Sequence, residues 1–251
     1  MIDEDFVIGR NAVTETLKAG RSVNKIFVAN GSNDGSIKKI LALANEAKIV
    51  VEFVDKSKLD KMSGGARHQG IIAQVAAINY FSVEEILEFA ALKNEPPFII
   101  LLDELEDPHN FGAILRTADA VGVHGVIIPK RRAVQLNSTV AKTSAGAMEY
   151  VKVAQVTNVA QTLKILRESD LKIVGGDMSG EKNFTDADLT GGIVLVIGNE
   201  GKGMRRLTRE NCDLLVKIPM VGKINSLNAS VAGAILMYEI FNQRNKIGVR
   251  V

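Results

Sequence analysis

Tryptophan is absent from this chain, cysteine occurs once, histidine three times, and aromatic residues make up only 5% of the sequence. Each shortage excludes something. A single thiol, Cys212, can form neither an intrachain disulfide nor a cysteine-rich zinc site, which suits a reducing compartment. Near a helix end it reads as a small buried hydrophobe. With three histidines and no His/Cys/carboxylate spacing, no metal site is expected. No apolar run reaches the ~18 residues of a membrane span and no charged-then-apolar leader opens the chain, so a cytoplasmic location is expected. No G-x-S-x-G occurs, and with it the nucleophile elbow is absent. Few aromatic residues also mean that base stacking is not expected to be the main mode of any nucleic-acid recognition. Charge of one sign is lacking too: the net charge is +2, so a nucleic-acid surface would have to come from clustered basic residues. Two clusters exist, Lys130-Arg131-Arg132 and Lys202-Arg205-Arg206-Arg209, and each also reads as a solvated face.

What is present is an ordinary globular composition, 46% hydrophobic and 24% charged over 251 residues, enough for one large or two smaller domains. Residues 1–78 alternate strand-like runs ("VNKIFVAN", "IVVEFVD", "IIAQVAAI") with helical patterns ("VIGRNAVTETLKAG", closed by Gly20, and "SIKKILALANEAK"), which indicates a small α/β domain. Residues 79–97 read as a connector with its own helix, opened by the capping-box pair Ser82 and Glu85 and ended by Pro96-Pro97. From Phe98 to the end a second series begins. "FIILLDEL", "GVIIP", "VKVAQV", "LKIVGGDM", "GIVLVIGNE" and "LLVKIPM" are strands whose near-continuous apolar character suits a parallel sheet covered on both faces. Helices lie between them, "NSTVAKTSAGAMEY" among these, and "SLNASVAGAILMYEIFNQR" forms a long final helix.

Three stretches carry more polar residues than packing needs. In "DELEDPHNFGAILRTADA", Asp107-Pro108 imposes a turn before a helix. Asn110 stands at that helix start as an N-cap or something more, and Arg116 either snorkels from an apolar helix or points into a site. His109 beside the helix start reads as structural. In "IVLVIGNEGKGMRRL" a strand runs into a glycine-rich loop. A P-loop would need Lys and Ser/Thr where Met204 and Arg205 stand, and a dinucleotide fingerprint would need glycine where Arg206 stands. Glu200 in its middle opposes a phosphate. In "IPMVGKINSLNASVAGAILMYE", Ser226, Asn228 and Ser230 crowd the start of the last helix, where one cap would suffice.

Together, and in this order, "DPHNFGAILRTADAVG", "VIGNEGKGM" and "IPMVGKINSLNASVA" resemble the three motifs of the SpoU/TrmH family of RNA 2′-O-ribose methyltransferases, within the SPOUT superfamily. "IGRNAVTETLKAG" and "GGARHQGIIAQV" resemble the L30e-like domain of the branch that modifies a guanosine of 23S rRNA. The resemblance implies a SPOUT-type parallel α/β sheet whose carboxyl-terminal segment forms a trefoil knot, with S-adenosylmethionine bound there. It also implies an RNA substrate, 23S rRNA above all, and a homodimer. By motif position it implies catalytic roles for Asn110, Arg116, Glu200, Ser226 and Asn228. Gly198, Asn199, Gly201, Ile218, Met220 and Leu227 would contact the cofactor. Arg10, Asn11, Arg67 and His68 are candidates for holding RNA.

Overall fold

A computed structural model describes residues 5–246 apart from 20, 22, 33, 76–79, 224 and 225. Gly20 as a helix cap and the domain boundary after residue 78 lie outside the described residues. In chain order the elements begin with β1 (Asp5–Ile8), α1 (Arg10–Lys18), β2 (Val23–Ala29), α2 (Gly35–Glu46), β3 (Val50–Val54), α3 (Lys56–Met62) and β4 (Ile71–Val75). There follow α4 (Val83–Leu92), β5 (Phe98–Asp103), α5 (Pro108–Ala120), β6 (Gly125–Pro129), α6 (Ser138–Thr143), β7 (Lys152–Val156) and α7 (Val159–Glu168). The chain ends with β8 (Lys172–Gly176), β9 (Lys182–Asn183), β10 (Ile193–Gly198), α8 (Arg206–Glu210), β11 (Leu214–Lys217) and α9 (Ala229–Lys246). Among the described residues no helix is long and apolar enough to cross a membrane.

Two compact units result: Met1–Asn79 with Leu136–Tyr150, and Tyr80–Gln135 with Val151–Val251. In the first, a four-stranded sheet has the order β1-β4-β2-β3, with β2 and β3 parallel and β4 antiparallel to its neighbours. Alternate strand residues face opposite sides. Ile26, Val28 and Ala73 meet Val13 of α1 and Ile37 and Ile40 of α2, whereas Phe27 and Ile72 meet Leu59 of α3.

Leu136–Tyr150, which the sequence reading leaves in the second domain, belongs to this first unit for a local reason. Glu149 accepts from Thr16 Oγ1 at 3.0 Å and pairs with Arg21 at 3.1 Å, both groups being largely buried. Tyr150 donates to Glu15 at 2.8 Å. The expected single helix here is also interrupted. Ala145 and Gly146 take positive φ, so α6 ends at Thr143 and a 3-10 turn follows over Ala147–Glu149.

The second unit has a seven-stranded sheet, β7-β6-β5-β10-β8-β11-β9, with every pair parallel. Every residue of β5 is buried, as expected when both faces are covered. One face packs Ile99, Leu101, Val194 and Val196 against Ile86 of α4 and Leu163 and Leu166 of α7. Helix α9 packs on α5, β8 and β10. The connector is thus no free linker: Ser82 and Glu85 close the expected capping box, and Phe81 pairs with β7 through Val153 O at 2.9 Å.

The short strand β9 has no counterpart in the sequence reading. It makes the topology unusual, because β8 and β9 are consecutive and yet β11 lies between them. The β8–β9 connection therefore arches across β11, fastened by Asp177 N to Val216 O at 2.9 Å. At Gly180 the arch lies so close that a Cβ would sit 2.8 Å from Leu215 O. A later strand passing inside an earlier connection departs from ordinary sheet topology, and threading of the carboxyl-terminal segment requires such a crossing.

Two titratable groups are structural. Burial pushes the Cys212 thiol up to about 12, which keeps it protonated and unreactive. His124, buried under β5, accepts from Phe98 N at Nδ1 (2.9 Å), so its Nε2–H donates to Glu95 at 3.0 Å. This is a neutral imidazole, and burial lowers its pKa despite Glu95. The unfolded chain then binds a proton near pH 6.5 that the folded chain does not, so stability falls as pH drops through and below that value. His124→Asn keeps an acceptor for Phe98 N, and its melting temperature is expected to vary less between pH 7 and pH 5 than the parent's by calorimetry.

Candidate active site

The carboxyl ends of β5 and β10 lie side by side, Asp103 opposite Gly198. Parallel α/β sheets bind ligands at such strand ends. The loop after β10 closes on itself, Asn199 and Gly203 exchanging backbone hydrogen bonds of 3.1 and 2.8 Å, with Gly203 at φ +66°. Asn199 braces it from within, its Oδ1 accepting from Gly201 N (3.0 Å) and Lys202 N (3.2 Å) while Nδ2 donates to Glu104 O at 3.0 Å. The far end is pinned by Arg205, whose backbone N and Nε each reach the Asp103 carboxylate at 2.8 Å, with Nη2 at 2.6 Å. Asp103 is fully buried.

The loop so held presents Glu200 to two amides. Asn110 Nδ2 and Asn228 Nδ2 both donate to Glu200 Oε1, the latter at 2.8 Å, and Asn228 Nδ2 also reaches Asn110 Oδ1 at 2.9 Å. Asn110 does not cap α5. That task falls to Asp107, which accepts from His109 N with Pro108 at the first helical position, and leaves the Asn110 side chain, 7% exposed, for the cluster. Asn228 does both jobs: its Oδ1 accepts from Ser230 N and Val231 N at the start of α9, fixing the rotamer that aims Nδ2 at Glu200.

Beside the cluster lies a cavity of about 350 Å³. Gly198, Asn199, Gly201, Ile218, Met220 and Leu227 all line it, as do Glu200 and Ser226. Asp177 and Met178 from the arch, and Ala232, Gly233 and Leu236 from α9, complete the wall; the sequence reading missed them because they come from distant segments. Asp103 was missed as well, although a carboxylate closing the apolar run "FIILL" was a signal.

Arg116 is elsewhere. Six residues after Asn110 it lies on an exposed face of α5, and it contacts no polar partner among the described residues. At about 100° per residue, six residues turn roughly 240°, so one helix face cannot present both to one cluster. The basic run behind the loop is engaged in part. Arg205 is bound to the buried Asp103 and Arg209 to the Ser179 hydroxyl, whereas Arg206 makes only an exposed pair with Glu210 at 2.6 Å, as a solvated face would. In the first unit His68 is buried between Asp60 and Gly70 N, and Arg10 is spent on Gln69 O, Ser36 and Asp34. Arg67 and Asn11 stay exposed.

A knotted-type parallel sheet with a polar cluster at its strand ends defines a class, and sequence comparison names it. The model described as "SpoU rRNA Methylase family" matches residues 97–238, and "RNA 2'-O ribose methyltransferase substrate binding" matches residues 6–81. The chain belongs to the SpoU/TrmH family of RNA methyltransferases. It is 51% identical over 244 residues to the "Putative TrmH family tRNA/rRNA methyltransferase YacO" of Bacillus subtilis, covering 97% of this chain and 98% of that one. A like-named protein of Staphylococcus saprophyticus is 45% identical over 247 residues, covering 98% and 99%. Among solved structures, the SpoU methyltransferase AviRb of Streptomyces viridochromogenes shares the fold, with a TM-score of 0.82 at 24% identity over 97% of this chain and 90% of that one. The same protein is known in complex with AdoMet, at a TM-score of 0.81 and 23% identity over 97% and 91%.

Proposed function

We propose that this chain methylates a ribose 2′-hydroxyl of RNA, a guanosine of 23S rRNA, with S-adenosylmethionine as methyl donor. The carrying observation is the Asn110–Glu200–Asn228 cluster at the rim of the cavity beneath the glycine loop. The lining fits that donor. Ile218, Met220, Leu227 and Leu236 supply apolar wall, and Asp177 and Glu200 outnumber the one cation, Lys202, which suits a sulfonium and opposes a polyphosphate. Solved structures of this fold with AdoMet bound support the same donor.

S-adenosylmethionine supplies an electrophilic methyl group on sulfur. The chain's own residues then have two tasks, orienting the hydroxyl and taking its proton. Arg116 clamps the phosphate beside the target ribose through its planar fork and so fixes the 2′-oxygen. Ser226 takes the 2′-hydroxyl proton as its own passes to solvent water, while Asn110, Glu200 and Asn228 hold the loop that frames it. Because Arg116 faces away from its own Glu200, the clamp serves a site completed by a second copy, and we infer a homodimer. The half-exposed Val231 and Tyr238 of α9 supply apolar surface for it. Residues 1–78 act as the L30e-like domain that holds the substrate, and the enzyme works in the cytoplasm.

The test is ribose-methylation mapping of RNA from cells lacking the protein, followed by transfer of labelled methyl to that RNA in vitro. Loss of one guanosine mark in 23S rRNA is expected, and a lost tRNA mark would move the target. Glu200→Gln keeps the shape of the cluster without its charge. It is expected to fold normally and lose about 100-fold in rate, because the bonds from Asn110 and Asn228 to a neutral acceptor are weaker and let the loop shift, and a displacement of about an ångström costs that much. Arg116→Lys loses the fork; recovery of its rate at high pH would identify a base instead of a clamp.

A further inference from the structure

We propose that a groove on the first unit, between the end of β3 and α3, receives an unpaired base of the substrate RNA, with Phe53 as its stacking platform. This rests on the reading of the chain as an RNA methyltransferase and adds which surface of the amino-terminal unit holds the RNA. The groove encloses about 380 Å³ and is lined by Asn30, Phe53, Asp55, Ser57, Lys58 and Lys61, with Val54 at its floor. Phe53 lies on the edge strand of the sheet, 55% exposed and outside both apolar clusters of the unit. An exposed phenylalanine alone means little. Its neighbours give this one a purpose.

Asn30 Nδ2 donates to Asp55 Oδ1 at 2.9 Å, which fixes the Asp55 carboxylate and leaves its Oδ2 without a partner among the described residues. A fixed carboxylate oxygen beside an aromatic face can accept from the N–H edge of a base stacked there, as aromatic platforms do in recognising unpaired RNA. The charges agree. Glu52 is consumed by Lys25 at 3.1 Å and Lys58 at 2.8 Å, and Asp60, which accepts from the neutral His68 ring, is not among the residues that line the groove. Lys61, which lines the groove, and Lys56, next to Asp55 and Ser57 of its lining in sequence, are exposed and have no acidic partner among the described residues, so they offer cations to the flanking phosphates. An exposed edge strand could also take an extended peptide. The uncompensated lysines beside the ring favour a polyanion. Arg10 is spent on Gln69, Ser36 and Asp34, whereas Lys61 at the groove is free.

The test uses the full-length protein and rRNA isolated from cells lacking it. Phe53→Ala and Phe53→Leu are expected to weaken binding roughly 5- to 100-fold, with Phe53→Tyr restoring it. The effect should fall on KM for RNA while kcat and S-adenosylmethionine affinity stay at the parent value. Lys61→Ala should lower the slope of log affinity against log salt by nearly one, about 0.7 to 0.9. A fully double-stranded RNA of the same length should bind the parent and Phe53→Ala alike. Methylation and RNA affinity unchanged in Phe53→Ala would overturn the groove while leaving the methyltransferase reading intact. Equal losses on single- and double-stranded RNA would overturn the stacking role. Parent-like RNA binding in Phe53→Ala together with lost capture of an extended peptide would assign the edge to a protein partner and overturn it too. A parent protein that bound no RNA would overturn both readings.

Discussion

Gly198→Ala is expected to lower affinity for S-adenosylmethionine by up to about 100-fold. The variant's second unit should still form its sheet. The reason is a contact between backbones. A Cβ at Gly198 would lie 2.4 Å from the carbonyl carbon of Gly203 and 2.5 Å from the nitrogen of Met204, and neither can move aside as a side-chain tip could. The loop would have to open, breaking the Asn199–Gly203 pairing and dragging Met204 from the apolar cluster where it is 8% exposed. Overpacking a core costs about 1–3 kcal/mol, and here the atoms displaced also form the cavity wall. Two sibling variants sharpen the expectation. Gly203 has φ +66° but nothing near its Cβ position, so Gly203→Ala carries backbone strain alone, about 1–2 kcal/mol. Gly201 has only the Asn199 side chain at 3.8 Å, so Gly201→Ala should be nearly silent. Titration calorimetry of the three with S-adenosylmethionine should therefore rank them Gly198, Gly203, Gly201. A Gly198→Ala variant that bound like the parent would show that the loop is not held closed in the working protein.

That ranking differs from what the sequence suggests, and the difference shows where sequence reading stops. Motif position places Gly198 and Gly201 alike at the cofactor, but at Gly198 the space a side chain would need is taken by the loop itself. The apolar runs of β5 and β10 were legible because parallel strands covered on both faces need continuous hydrophobic sequence. The capping box of α4 was legible because it is written within four residues. The two-residue β9 carries no periodicity to read, and its place beyond β11 depends on the path of the arch. Leu136–Tyr150 joins the first unit through Glu149, Thr16 and Arg21, more than a hundred residues apart in sequence. The polar cluster was half legible. Three motifs pointed to Asn110, Glu200 and Asn228, yet that one carboxylate oxygen takes both amides is a fact of the folded loop. Arg205 looked like a basic residue free for RNA, because a buried acceptor a hundred positions earlier leaves no local trace.

Arg205→Ala is expected to be the most destabilising single change at the site. It removes two of the three bonds to Asp103 and leaves a fully buried carboxylate with only the residue 205 backbone amide. Breaking a buried ion pair by deleting one partner costs about 3–5 kcal/mol. The Arg205 side chain is 43% exposed, so water already shares its charge and the lower end, about 3 kcal/mol, is the better expectation. At about 2–4 °C per kcal/mol for a unit of this size, the melting transition should fall by roughly 6–12 °C. Asp103→Ala in the same background tests the cause. It removes the unpaired charge, so the double variant should be more stable than Arg205→Ala alone, the non-additivity that a direct pair produces. Both should still weaken S-adenosylmethionine binding, because the loop that carries Asn199 and Glu200 loses its far anchor while Asn199 alone still ties it to Glu104 O. Should Arg205→Ala melt within a degree of the parent, the pair would be a surface contact and the loop would owe its shape to Asn199. Stability restored in the double variant without cofactor affinity would instead separate the two duties of Arg205, neutralising a buried charge and setting the loop over the cavity.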